Sequence, residues 1–202
     1  MNRRSINILP RFAGYVLLAA FLITCSKKET GPSNNPLHTL ALGENISLDS
    51  RFSVPCNFME DTPGFPGNKQ MSGWYYGYGS SNKSSIGQGV TYVNLCKQEG
   101  QIYNNPLAWF YPEELEKINT SPVKTINALI KYGEENTLLL SFTENPRILE
   151  TPDKNMLRFS VKAVVADGTG KFASARGEIT VTGGIRLPDN HADINYSGTI
   201  KL

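Results

Sequence analysis

Residues 191–202 read HADINYSGTIKL. Ala192, Ile194, Tyr196, Ile200 and Leu202 fall on one side of a two-residue repeat, with Asp193, Asn195, Ser197, Thr199 and Lys201 on the other. Such alternation marks a β-strand with one buried face and one wet face. The same period recurs upstream. Ile46, Leu48, Phe52 and Val54 alternate with Ser47, Asp49, Arg51 and Ser53, and Phe159, Val161, Ala163 and Val165 oppose Arg158, Ser160 and Lys162. Ile179 and Val181 predict a shorter strand ended by Gly183-Gly184.

Only one stretch reads as helix. Pro112-Glu113-Glu114-Leu115-Glu116 puts proline in a first turn and acids against the positive end of the helix dipole, and Pro122 follows too soon for it to be long. Beyond it, Val123, Ile126 and Ile130 fit a helix, whereas Ile126, Ala128, Ile130 and Tyr132 fit a strand, and we read a strand. Gly133-Glu134-Glu135-Asn136 then turns the chain into Thr137–Phe142, giving a hairpin. The stretch from Asn57 to Met71, with Pro63, Gly64, Pro66 and Gly67, predicts a surface loop. Short strands joined by glycine-rich connections indicate a closed barrel or a sandwich. Closure is favoured, because the last strand carries no proline or inward charge to protect an open edge.

Asp167-Gly168-Thr169-Gly170-Lys171-Phe172-Ala173-Ser174-Ala175-Arg176-Gly177 carries a recognisable pattern. It resembles the Gly-Thr-Gly-(Lys/Arg)-Phe-x-x-Ala-x-Gly turn of the barrel shared by allene oxide cyclases, dirigent proteins and related bacterial calycin-like proteins. The Gly133–Leu138 stretch and the closing Tyr196–Ile200 strand are similar to that family too. The resemblance covers roughly residues 125–202, and Ser85 to Leu95 weakly. It implies an all-β, calycin-like fold: an antiparallel closed barrel of about eight strands with one short helix. The motif has a structural reading. Gly168 and Gly170 permit positive φ in a tight connection, Phe172 can plug the barrel end, and small residues at 173–175 let the chain pass close to its neighbours. The N-terminal half lacks the polar pocket residues expected of cyclases or dirigents, so neither activity carries over to named residues here.

The N-terminus decides location. Arg3, Arg4 and Arg11 precede an apolar run from Phe12 to Ile23, the layout of a secretory signal and too short to span a bilayer. Leu22-Ile23-Thr24-Cys25 resembles the lipobox of bacterial lipoproteins, which implies that residues 1–24 are removed and that Cys25 is lipidated, with palmitate-type chains. Residues 25–36 are rich in Lys, Ser, Asn, Gly and Pro and predict a flexible tether. The bland alternative is an ordinary cleaved signal with a chance cysteine. No aspartate follows Cys25, so the outer membrane of a bacterial envelope is the expected location. Losing residues 1–24 lowers Lys plus Arg from 20 to 17 against 18 acids, moving the net charge from +2 to −1. Nucleic-acid binding thereby loses its electrostatic support. Residues 37–202 suffice for one domain with a real core.

Cys56 and Cys96 are a candidate disulfide in an oxidising compartment, closing a loop of about 40 residues worth roughly 4 kcal/mol. Two buried thiols are the alternative. Gly168-x-Gly170-x-x-Ala173 matches a dinucleotide fingerprint formally, but Glu178 to Thr182 is strand-like where a helix is needed. His38 and His191 are not clustered with other ligands, so no metal is expected, nor any cofactor. His191, read in the Pro188–Ala192 turn, is the one plausible base for a nucleophile. Glu113, Glu114 and Glu116 are most simply a helix N-terminal face. In Gly73-Trp74-Tyr75-Tyr76-Gly77-Tyr78-Gly79 a strand places Trp74, Tyr76 and Tyr78 on one face and mostly glycines on the other. Those rings either bind a small apolar or glycan ligand or fill the barrel. Trp109-Phe110-Tyr111 either caps the barrel mouth or joins a binding face. The expectation is a non-enzymatic envelope lipoprotein, membrane-bound through its lipid, whose barrel binds a small ligand or an envelope partner. One alternative is a cyclase or isomerase working in the interior with tyrosine hydroxyls and Arg158 or Arg176. Another is a structural or adhesive protein.

Overall fold

The computed structural model describes residues 37, 40–60, 73–98, 100–118 and 125–202. The signal segment, Cys25, the tether, His38 and residues 61–71 of the expected loop lie outside the described residues. Among the described residues ten strands form one sheet: β1 Asn45–Glu60, β2 Gly73–Ser84, β3 Val90–Gln98, β4 Gln101–Asn104, β5 Ala128–Tyr132, β6 Asn136–Phe142, β7 Arg147–Leu149, β8 Met156–Gly168, β9 Arg176–Arg186 and β10 His191–Lys201. Helix α1 is Pro112–Glu116.

Strands β1, β2, β3, β5, β6, β8, β9 and β10 each pair antiparallel with the next in the chain, and β10 returns to β1. This is a closed up-and-down barrel of eight strands, which removes its own edges. The two extra strands extend it: β4 pairs with the end of β3, and β7 with the start of β8.

The alternating residues point as expected. Ile46, Leu48, Phe52, Val54, Phe159, Val161, Ala163, Ile179, Val181, Ala192, Ile194, Tyr196 and Ile200 all join one interior core. The interior also takes the rings of Tyr75, Tyr132 and Phe172, with Phe52 edge-on to Tyr196 at 5.6 Å and Phe172 tilted against Tyr132 at 5.8 Å. The buried hydroxyls are satisfied. Thr91 Oγ1 donates to the Leu129 carbonyl at 3.1 Å and accepts from Tyr196 OH at 2.8 Å. Ser50 Oγ lies 3.1 Å from Tyr132 OH and 2.8 Å from Ser84 Oγ. Burial raises the pKa of both phenols, that of Tyr132 to about 12, because a charged phenolate would lose its hydration.

Four local expectations need correction. Strand β1 runs on to Glu60 instead of giving way to loop at Asn57, since Cys56–Glu60 pair with Gly73–Gly77 of β2. Strand β9 passes through Gly183 and Gly184 to Arg186. A Cβ on Gly183 would stand 2.5 Å from the Phe159 ring, so this glycine makes room for a core aromatic inside a continuing strand. In the 167–177 turn, Gly170 has φ +55, but Gly168 is required by crowding, because a Cβ there would meet the Phe172 backbone. Phe172 is the plug, fully buried on the 3-10 turn Gly170–Phe172. Finally, His191 is the first residue of β10, outside the turn.

Cys56 and Cys96 are not bridged to each other. Cys56 lies on β1 opposite Gly77, and Cys96 lies on β3 opposite Trp74, so all of β2 stands between them. Two strand spacings put their Cα atoms roughly 9.6 Å apart before any offset along the strands, beyond disulfide reach. They also face opposite sides. Cys56 packs against the interior core, whereas Cys96 shares the outward register of Trp74.

Candidate functional site

Trp74, Tyr76 and Tyr78 do share a face of β2, and that face is the barrel's outer wall. Tyr75 and the glycines turn inward: Gly73, Tyr75, Gly77 and Gly79 are buried. The reason is the close passage of β1. Cβ atoms on Gly77 and Gly79 would run into the carbonyls of Pro55 and Ser53. The β1–β2 ladder breaks here, going from Phe52↔Ser81 to Cys56↔Gly77, where Pro55 has no N–H to give. Glycine is therefore demanded inside, and the large rings go outside.

The outer wall is then built up by the segment after β4. Leu107 is fully buried with Ile126, Leu129 and Leu139 in a second core outside the barrel, joined by Tyr92, Tyr111, Leu115 and Ile118. Buried amides weld the segment down. Asn94 Nδ2 donates to the Pro106 carbonyl at 3.2 Å, Asn127 Nδ2 donates to the Asn105 carbonyl at 2.9 Å, and Asn127 Oδ1 accepts from Phe142 N–H at 2.8 Å. Helix α1 is held by Glu114, which pairs with Lys117 at 2.9 Å and with Lys131 of β5. These lysines hold the Glu114 carboxyl below its usual range, through hydrogen bonding to the charged form.

The two aromatic patches meet. Tyr76 stacks on Phe110 at 4.2 Å, Tyr78 on Tyr92 at 5.4 Å, and Tyr92 meets Tyr111 edge-on at 5.2 Å. Trp109-Phe110-Tyr111 thus belongs to an external face and does not cap the barrel. A groove of about 710 Å³ is lined by Tyr78, Tyr92, Trp109, Phe110 and Tyr111, together with Glu113 and Glu114. Tyr78 remains 60% exposed and Trp109 59% exposed, unusual for rings this large unless a surface is kept for contact. Burial, and then surrounding groups, push the Tyr111 phenol up strongly and the Tyr92 phenol up, so both hydroxyls stay protonated donors at neutral pH.

Across the Tyr78–Tyr92 pair a second groove of about 640 Å³ holds Ser53, Pro55, Ser80, Asn82 and His191. Ser53 Oγ and His191 Nε2 are hydrogen bonded at 2.6 Å. A third, of about 450 Å³, lies over β8, β9, β10 and β1 and includes Arg51, Arg158, Asp193, Asn195 and Met156. Arg158 and Arg176 are both exposed, so neither serves as an interior polar group; the interior is occupied by apolar side chains and paired hydroxyls. Tyr92, Arg51 and Ser53 line these grooves although the sequence does not single them out, and His191, read there as a candidate base, is brought to Ser53. Their outward parity was legible, but which outward residues converge depends on strand order.

No family model matches the sequence, and no curated protein matches it. Among solved structures, a pterocarpan synthase dirigent protein is similar over 80% of this chain and 97% of its own, at 12% identity and a TM-score of 0.45. The barrel assignment here rests on the strand pairing itself.

Proposed function

We propose that this chain is a non-enzymatic lipoprotein of a bacterial envelope, anchored in the outer membrane through acylated Cys25, whose barrel presents the aromatic groove on its outer wall to a glycan. The observation that carries the ligand reading is the pair of exposed rings, Tyr78 and Trp109, flanking one groove whose lining includes the carboxylate of Glu113. A flat ring offers its face to the C–H side of a sugar, while phenol and carboxylate orient the hydroxyls. An open groove lined by phenols and the Glu113 carboxylate suits a polyhydroxylated ligand better than an apolar one. The anchor reading rests on Leu22-Ile23-Thr24-Cys25 and the polar stretch that follows.

Two measurements test it. Tryptophan fluorescence of the full chain, titrated with neutral oligosaccharides, is expected to change on binding, and Trp109→Ala and Tyr78→Ala should each weaken binding about tenfold, the scale of losing one stacked ring. An array showing no glycan binding to the wild-type chain would refute the ligand reading. Cys25→Ser should move the protein from the membrane to the soluble fraction, and persistent membrane association would refute the anchor.

A further inference from the structure

The aromatic groove does not stop at Tyr78. Tyr78 of β2 stands directly opposite Tyr92 of β3 in the ladder, and the two rings stack at 5.4 Å. Both residues also line the second groove, of about 640 Å³, so the stacked pair is a ridge shared by two hollows. The second hollow lies over β3, β2, β1 and β10, which are successive neighbours in the sheet. Along that wall Tyr78 and His191 are two strand spacings apart, roughly 10 Å. The two hollows therefore adjoin on one side of the barrel.

The lining of the second hollow differs from that of the first. Pro55 and Val90 supply apolar surface, and Ser80 and Asn82 are exposed on the outward face of β2. Pro55 pairs with His191 in the β1–β10 ladder, and Ser53, two residues back on the same face, meets His191 Nε2 through its Oγ at 2.6 Å. That bond fixes the direction of the hydroxyl. Where the ring nitrogen donates, Ser53 keeps its own O–H for a ligand; where Ser53 donates, it keeps a lone pair. Among the described residues no carboxylate, lysine or arginine lines this hollow. Hydroxyl, amide and imidazole beside apolar surface match the hydroxyls and C–H face of an uncharged sugar.

We propose that the hollow at Ser53 and His191 is a second sugar subsite, joined to the aromatic groove over the Tyr78–Tyr92 ridge, so that the protein takes a neutral oligosaccharide and not a single sugar. One ring stacks between Trp109 and Tyr78. The chain then crosses Tyr78, and a following ring sets its hydroxyls against Ser53, Asn82 and His191. This rests on the glycan reading above and adds to it the ligand's length and the polar groups that read its second half. A single ring engages one hollow only, and forgoes the contacts of the other.

The test is calorimetric titration of the full chain in detergent with neutral glucose, galactose and mannose oligomers, each series graded from the single sugar upward. In the series that binds, affinity should step up about tenfold once the oligomer is long enough to cross Tyr78, the scale of one or two net hydrogen bonds. Asn82→Ala, at an exposed position, and His191→Gln should each remove about fivefold of binding from the long oligomers while leaving the shortest binder unchanged. Trp109→Ala should weaken short and long oligomers alike. A melting temperature equal to that of wild type would certify that each variant is folded, and Asn82→Ala carries the test by itself if His191→Gln is not. Neutral binding that shows no step with length, or a step that survives Asn82→Ala, would overturn the second subsite while the aromatic groove stands. Failure of every series would remove the subsite together with the glycan reading.

Discussion

Removing the ring of Phe172 tests whether the 167–177 turn closes the barrel as described. Phe172 is fully buried, lies against Tyr132, and sits on a 3-10 turn held at several points. Phe172 N–H donates to Thr169 O at 2.9 Å, Ala175 N–H to Phe172 O at 2.9 Å, and Lys171 N–H to Asn136 Oδ1 at 2.9 Å. The Gly168 backbone presses from the other side. Such a pinned site collapses poorly, so Phe172→Ala should fall near the middle or upper part of the range for buried Phe→Ala, about 4 kcal/mol. With a urea m-value of about 2 kcal/mol/M, the unfolding midpoint should drop by about 2 M, and the melting temperature by roughly 12 °C. Phe172→Leu, which keeps most of the volume, should lose less than about 1.5 kcal/mol. Urea unfolding followed by near-ultraviolet circular dichroism would measure both. An alanine variant within about 1 kcal/mol of wild type would refute the plug, because no well-packed ring of this size leaves so cheaply.

Further outcomes follow from the same geometry. Thiol counting under denaturing, non-reducing conditions should find both Cys56 and Cys96 reactive; a covalent bridge between them would overturn the β1–β2–β3 register. In the native state Cys56 should react slowly with thiol reagents at neutral pH, because burial pushes its pKa up to about 12 and the thiolate is the reactive form. Glu114→Gln should destabilise the fold at neutral pH by at most about 1 kcal/mol, since the pairs are partly exposed. The Glu114 carboxyl is held below its unfolded value, so its contribution is present above that value and fades as pH falls through the lowered one. Wild type and variant should therefore converge in acid, as thermal melts across pH would record. Gly79→Ala should cost about 2 kcal/mol through its clash with the Ser53 carbonyl, on the scale of overpacking; an unchanged melting temperature would show that β1 and β2 do not pass so closely.

Much of the barrel was legible because strand alternation is a local property. Residues two apart share a face whatever the tertiary context, so Ala192 to Leu202, Ile46 to Val54 and Phe159 to Val165 read correctly. The inside of β2 was not legible in the same way. Its aromatic face looks like the core face, and only the crowding of Ser53 and Pro55 against Gly79 and Gly77 reverses it. The Gly183-Gly184 pair misled for a related reason: a glycine that admits the Phe159 ring looks, in sequence, like one that ends a strand.

Residue order alone determined the strand-rich domain, its wet and dry periodicities, the short proline-led helix and the charge balance, because these depend on near neighbours along the chain. Strand pairing decided the rest. The β1–β2–β3 register separated Cys56 from Cys96 by a whole strand, the close passage of β1 turned Trp74, Tyr76 and Tyr78 outward, and closure of β10 on β1 laid Arg158 in line with Ser53 across four strands. Groups distant in sequence acquire a common surface only when hydrogen-bond register sets which strands are neighbours.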